Sequence, residues 1–489
     1  MYIGLDLGTS ELKALLLAPD HRVLAVARAP LTVSRPRPLW CEQSPEDWWQ
    51  ATERVLDELA ARHPDAMREV RAMGLSGQMH GAVTLDAGHQ VLRPAILWND
   101  GRSGADCKAL ARAVPALSRI TGNLAMPGFT APKLHWMREH EPALFERVAL
   151  VLLPKDYLRL ILTGSAVGEP SDASGTLWLD VGARNWSPVM LAACGMSLTQ
   201  MPRLVEGSAP SANMLPQWCR RFGLPDTVIV AGGAGDNAAS AVGIGTVSPG
   251  QGFVSLGTSG VIFVTTDRFL PNPDNAMHAF CHALPRRWHQ MSVMLSAAGA
   301  VAWAARAFGF DDEARLLASA EGLPAQQCEI APLFLPYLSG ERTPHNDPHA
   351  SGVLFGLTHS HDAAAIAYAV VEGVTLGLLD GFGTLTARQG GAVTVLSAVG
   401  GGSRSAFWVQ MLASALDVSL LVHQGGEVGG ALGAARLGWL ADGGDEADVC
   451  RQPPLARRFE PIPAQRAMLA ARHQRFRALY PPLFGGRAH

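Results

Sequence analysis

A chain of 489 residues with 48% hydrophobic and 17% charged residues has ample apolar material for large cores, which excludes global disorder, and it is too long for one ordinary domain of roughly 150 residues. The formal net charge of −3, from 40 Lys+Arg against 43 Asp+Glu, provides no basic field for nucleic acid or an anionic membrane surface. Cysteines at 41, 107, 194, 219, 281, 328 and 450 lack paired spacing, the N-terminus MYIGLDLGTS is no signal peptide, and no uncharged apolar run approaches the ~20 residues of a membrane span, so a reduced, cytoplasmic protein is expected.

The first predicted elements are two strands around a glycine turn, Tyr2 to Leu17, with Ile3, Leu5 and Leu7 before the turn and Leu12, Ala14 and Leu16 after it. A helix follows over Trp48 to Arg62, with Ser44 as N-cap and Pro45 at its first position. Strands at Ala72 to Ser76, Val228 to Ala231 and Val393 to Val399 alternate with helical patterns, which predicts an α/β fold. Leu7-Gly8-Thr9-Ser10 recurs as Leu256-Gly257-Thr258-Ser259, half a chain later and again between apolar stretches. The echo predicts two similar domains facing each other, 1–245 and 246–489, parted near the turn-rich segment 243–252.

Turns rich in Gly, Thr and Ser aim backbone N–H groups and hydroxyls at one point and so suit phosphate. Gly8, Thr9, Ser10, Gly257, Thr258 and Ser259 are therefore candidate phosphate ligands, although each loop alone reads equally as a plain hairpin. The copies differ at one place: Asp6 precedes the first, Ser255 the second. A carboxylate beside phosphate calls for a cation, so Asp6 implies Mg²⁺. Lys13 either adds positive charge near the phosphates or is a solvated strand lysine.

Four more segments follow. Val228 to Gly245 runs from a strand through glycines into Asp236-Asn237 at a helix N-terminus, where an aspartate is an N-cap or a working carboxylate. Its partial dinucleotide fingerprint lacks the acidic residue that should follow about 20 positions on. Gly400-Gly401-Gly402, with Ser405 behind, form a strand-to-helix turn on which a nucleotide base or ribose can lie. Gln78, Met79 and His80 sit between glycines after a strand, and Trp98 ends another; polar groups beside an aromatic surface suit a sugar. Glu341 to His345 reads as a working loop or as a turn with surface charges. His278-x-x-Cys281-His282 hints at a metal site without the second ligand pair that a structural zinc needs.

These residues resemble the FGGY carbohydrate kinase family, within the actin-like ATPases, over nearly the whole chain. DLGTS (6–10) and LGTSG (256–260) resemble its phosphate motifs, and GGGSRS (400–405) its adenosine motif. One family signature is filled over 128–140; a second, over 352–372, departs at Ala365, where a surface difference is expected. The resemblance implies two duplicated, ribonuclease-H-like α/β domains with ATP and Mg²⁺ in the cleft between them, and a homodimer as a family-level expectation. It implies Asp236 as catalytic base, Asp6 as the magnesium-associated carboxylate, and Met79, His80, Asp236 and Asn237 as sugar contacts. Glycerol kinases carry an Arg-Glu pair where this chain has Met79-His80, which favours a pentulose. The implied reaction is phosphorylation of D-xylulose at its 5-hydroxyl; the alternatives are another ketose or polyol, such as L-xylulose or ribulose, and an actin-like ATPase without a sugar pocket.

Overall fold

Both repeated turns seed a sheet of the same plan. The computed structural model describes residues 1–386, 393–425 and 429–485. In the first half, Tyr2–Leu7 and Glu11–Leu17 form an antiparallel hairpin with Gly8 to Ser10 at its tip. In the second, Gly252–Leu256 and Gly260–Thr266 do the same around Gly257 to Ser259.

Each hairpin extends identically on both sides. Strand Tyr2–Leu7 pairs in parallel with Ala72–Gly77, which pairs in parallel with Ile229–Ala231, while Val23–Pro30 lies antiparallel on the far edge. Strand Gly252–Leu256 pairs in parallel with Val395–Val399, then Ser419–His423, with Trp288–Met294 antiparallel beside Gly260–Thr266 and His278–Cys281 beyond it on the edge. With antiparallel Pro210–Asn213 beyond Ile229–Ala231 and Leu455–Phe459 beyond Ser419–His423, six strands share one order and one set of directions, and both sheets grow to seven strands. The parallel strands are buried on both faces, which explains why their alternation in sequence is imperfect.

Helix Pro45–Arg62 starts where the sequence indicates, although the Ser44 hydroxyl makes no capping hydrogen bond. Helix Asp236–Ile244 ends at Gly245 in the left-handed region. Helix Gly429–Ala441, late in the chain, returns to lie on the first sheet. It does so because glycines let backbones touch. A Cβ at Gly4 would stand 1.9 Å from the Ala431 carbonyl oxygen, one at Gly74 1.8 Å from that of Ala434, and one at Gly433 1.7 Å from that of Ala239.

Two expectations are corrected. Ala365 is buried, at 4% exposure, near the start of helix Ala363–Gly383, so the departure from the family signature lies in the core. That 21-residue helix is also long and apolar enough to cross a membrane. It is a core helix: 72% of its apolar window is buried, and Glu372 pairs inside the protein with Arg472 at 2.5 Å. All seven cysteines are buried free thiols.

Candidate active site

Strand register brings the candidates to one edge of the first sheet. Asp6 lies opposite Ser76, and Gly77 lies opposite Gly235, so Asp6, the Gly77 loop and Asp236 occupy three adjacent strand ends. The two aspartates therefore belong to the same half, two strands apart, about 10 Å at ordinary strand spacing. Ser76 Oγ donates to Asp6 Oδ1 at 2.9 Å, leaving Oδ2 toward Gly430, where a Cβ would come within 2.6 Å of it. Burial raises the Asp6 carboxyl above its usual range, against the pull of Ser76 and Lys13. Burial first, and the Asp6 charge second, push Asp236 up to about 6. Asn237 answers with two donors to Asp236 Oδ1, its backbone N–H at 2.7 Å and Nδ2 at 2.9 Å. These bonds hold one carboxylate oxygen and leave the other able to accept a proton.

The acceptor loop is built around a strained histidine. His80 has φ +68°, and its Nδ1 lies 2.6 Å from the Gly175 carbonyl oxygen. That contact requires the proton on Nδ1, so Nε2 carries a bare lone pair. Burial drops the His80 pKa to about 3 and keeps the ring neutral. Glycine is needed at 175, since a Cβ there would stand 2.5 Å from the ring. The His80 carbonyl accepts from Thr130 Oγ1 at 3.0 Å and from Lys133 Nζ at 2.8 Å. The first signature is thus a helix, Thr130–His140, whose fully buried lysine clamps the acceptor loop. Met79 is buried against Gly235, which has no room for a Cβ beside the thioether.

The turn Gly8 to Ser10 and the loop that carries His80 are one network. Thr9 Oγ1 donates to Gln78 Oε1 and accepts from Trp98 Nε1, both at 3.0 Å. Gln78 Nε2 donates to Gln43 Oε1 at 2.9 Å, and Gln43 Nε2 to the Thr9 carbonyl at 2.7 Å. Gln78 is buried with both ends of its amide engaged within the protein. Gln43, held in turn by Trp48 Nε1, was not singled out in the sequence. Gly8 N–H bonds to the Glu11 carbonyl, Ser10 is exposed, and Lys13, opposite Asp6, pairs with Glu11 at 3.1 Å.

The second loop is fixed from behind. The backbone N–H groups of Ala297 and Gly299 bond to the Thr258 carbonyl and that of Ala298 to the Gly257 carbonyl, while Thr258 and part of Ser259 remain exposed. Gly400, at φ +85°, presses on Leu256 and Gly257, which couples the three-glycine turn to this loop. Gly401 is exposed, whereas Gly402 is buried between Leu256 and Trp408. Ser405 Oγ accepts the Trp408 N–H as a helix N-cap.

Beneath the Asp236 loop lies an ion cluster that no short motif announced. Lys155 reaches Asp156 at 2.7 Å, Asp172 at 3.1 Å and Glu169 at 3.4 Å, all buried. Arg159 pairs with Asp156 at 2.9 Å and donates to the Gly232 carbonyl. Ser171 Oγ accepts the Gly235 N–H at 3.2 Å. The cluster thereby sets the backbone that carries Asp236. The suspected metal pattern dissolves: His278 Nδ1 contacts Asn123 Oδ1 at 2.9 Å and its ring stacks on Phe280, and no metal-ligating group of three is present among the described residues.

Residues 1–243 match the N-terminal domain of the FGGY family of carbohydrate kinases, and residues 252–441 match its C-terminal domain. The chain belongs to the FGGY family of carbohydrate kinases. This FGGY kinase is 50% identical over 485 residues to the xylulose kinase of Escherichia coli (strain K12) and 49% identical over 487 residues to that of Klebsiella pneumoniae, covering 99% of each chain in both cases. Its structure is similar to the crystal structure of a xyloylose kinase from Brucella ovis, with a TM-score of 0.95, 48% identity and 99% of each chain covered.

Proposed function

We propose that this FGGY kinase transfers the γ-phosphoryl group of ATP to the 5-hydroxyl of D-xylulose, giving D-xylulose 5-phosphate. The identity of about half of all residues to the two xylulose kinases, over 99% of the chain, carries the acceptor assignment. The juxtaposition of Asp236, Asn237, Met79 and His80 at one strand edge supports it.

Phosphoryl transfer passes through a loose, in-line transition state, so the protein's work is positioning and charge neutralisation. His80 Nε2 accepts from a sugar hydroxyl, and Met79 and the Trp98 ring give the carbon skeleton an apolar wall. Asp236 takes the proton of the reacting hydroxyl. A carboxylate ionised above about pH 6 and one partner away from full satisfaction suits that task. The turns at Gly8 to Ser10 and Gly257 to Ser259 present backbone and hydroxyl donors to the phosphates, and Gly400 and Gly401 border the nucleoside. Asp6 fits a hard cation: its Oδ2 faces Gly430, which has no side chain, and burial raises its pKa in spite of Ser76 and Lys13. Bound there, Mg²⁺ supplies charge neutralisation for the phosphates.

A coupled assay of ADP release across D-xylulose, L-xylulose, ribulose, glycerol and no sugar tests the reading. D-xylulose should give the highest kcat/KM. A better ketose would correct the acceptor, and equal ADP release without sugar would remove the kinase assignment.

A further inference from the structure

The acceptor pocket described above belongs to the first half, yet its outer wall is built by the second. Phe129 packs edge-on against His80 (4.7 Å) and also against His278 (5.7 Å) and Phe280 (6.2 Å) of the second sheet. The segment Glu341 to Asp347 closes over this junction and is pinned at every turn. Glu341 and Asp347 exchange backbone hydrogen bonds of 2.8 Å, and Tyr480 donates to Asp347 Oδ2 at 2.9 Å. Thr343 N–H donates to the Val293 carbonyl at 3.1 Å, and its hydroxyl accepts the Val293 N–H at 3.1 Å while donating to the Ala276 carbonyl at 3.0 Å. Glu341 Oε1 accepts the N–H groups of Leu295 (2.9 Å) and Arg342 (2.7 Å).

Within this rigid frame the Arg342 guanidinium makes no hydrogen bond and no ion pair with any other described residue. Other buried cations of this half-site are partnered: Lys155, Arg159 and Arg102 are each ion-paired, and Lys133, which has no ion pair among the described residues, donates to the His80 carbonyl. Arg342 is only partly exposed, and its charge acts on His80 and on His278. Its chain neighbour Thr343 is bonded to Val293 and Ala276, which share one apolar cluster with Met79, Phe129 and Phe280, so the unpaired cation stands at the His80 end of the pocket. A desolvated guanidinium with up to five unmatched donors is costly unless a ligand supplies acceptors. His80 and His278 are held neutral, and the opposite charge that acts on it is that of its own neighbour Glu341, a carboxyl that burial pushes up to about 8 and whose Oε1 is already taken by backbone N–H groups.

We propose that Arg342 is a specificity-determining residue that donates hydrogen bonds to the oxygen atoms of the ketose at the end distant from C5. This rests on the assignment of the His80 loop to the acceptor. A planar fork spans the carbonyl and hydroxyl oxygens of an open-chain keto sugar, which a polyol with one short arm does not present. Because Arg342 arrives on the second half and His80 on the first, the sugar is gripped from both sides.

The test is steady-state kinetics of the full chain with Arg342→Met and Arg342→Lys, varying D-xylulose and ATP separately. Loss of charged hydrogen bonds should raise the KM for D-xylulose at least about tenfold in the Met variant, leave the KM for ATP within about twofold, and leave kcat at saturating sugar within about threefold. The Lys variant should fall between. The thermal shift induced by D-xylulose should shrink while that induced by ATP stays. An unchanged sugar KM overturns the proposal, as does a fall in kcat at constant KM, which would place Arg342 on the phosphoryl group. Loss of both thermal shifts with a lowered Tm would make it a structural residue. Wild-type turnover in the same assay separates these outcomes from a wrong acceptor: a wild-type enzyme that prefers another ketose changes the sugar used, and the Arg342 variants are judged on that one.

Discussion

Asp236 shows how much a single side chain depends on its surroundings. Burial and the Asp6 charge raise its pKa to about 6, so the proposed base is protonated in acid and ionised above that value. Activity through an ionised base must fall as pH drops. The profile of kcat/KM for the sugar, which reports the free enzyme, should show an acid limb centred near 6. Asp6→Asn removes a neighbouring negative charge and should move that limb to lower pH in whatever activity remains. Asp236→Asn should keep the sugar-induced thermal shift while lowering kcat by at least about a hundredfold, in the range of lost general bases. Turnover near wild type in that variant, or a flat profile over roughly pH 5 to 8, would take the base role away from Asp236. The sequence made Asp6 and Asp236 legible because each adjoins a glycine turn at a strand end. It left their relation open, and strand register answers that: they sit on one sheet edge. Gly175, Gln43 and Lys133 were harder to read as site residues. They act on His80, or on Thr9 and Gln78, through contacts with residues far away in the chain, and although Lys133 lies within the signature over 128–140, nothing local shows what it holds.

At the scale of elements, the duplicated hairpin was legible because the same four residues recur in the same apolar setting. The return of helix Gly429–Ala441 to the first sheet was not. Its sequence, GGALGAARLGWLA, reads as any small-residue helix, and its partners Gly4 and Gly74 read as ordinary strand glycines. Only the backbone-to-backbone approach shows why all of them are small. That approach gives a sharp contrast between glycines. Gly74→Ala forces a methyl to within 1.8 Å of a backbone oxygen that cannot step aside, so the helix must lift off the sheet. The expected loss is about 1–3 kcal/mol or more, read as a lower Tm and a lower urea midpoint with an unchanged m-value. Gly104→Ala, at a helix start with nothing within 4 Å, should change stability by only about 0.5 kcal/mol in either direction. Equal effects of the two substitutions in parallel melts would mean that the helix does not bear on the sheet.

For the whole molecule, the two copies of the fold are not two independent bodies. The first sheet buries its outer face under a helix from the end of the chain. Tyr2 stacks on Trp439 with ring centroids 4.9 Å apart and donates to Asp442 at 3.1 Å, and Arg71 pairs with Asp442 at 2.8 Å. Leu15, Leu17, Ala72 and Ala231 share one apolar cluster with Ala431, Ala435, Leu437 and Trp439. A second cluster joins Met79, Phe129 and Trp178 to Phe280, Met291 and Val293 behind the acceptor pocket. A fragment of residues 1–245 would expose both faces and lose the cover on Gly4 and Gly74. We propose that the division near residue 245 parts the repeats and does not part folding units. Fragment 1–245 expressed alone should aggregate or bind a hydrophobic dye without a cooperative melt, whereas co-expression with 246–489 should restore a soluble complex with sugar-dependent ADP release. The physical reason is that the helix on the first sheet also begins beside Asp6, so the element that completes the core completes the site. A fragment 1–245 that unfolds cooperatively on its own, with a sugar-induced thermal shift intact, would show that the first half carries its core and its acceptor pocket unaided.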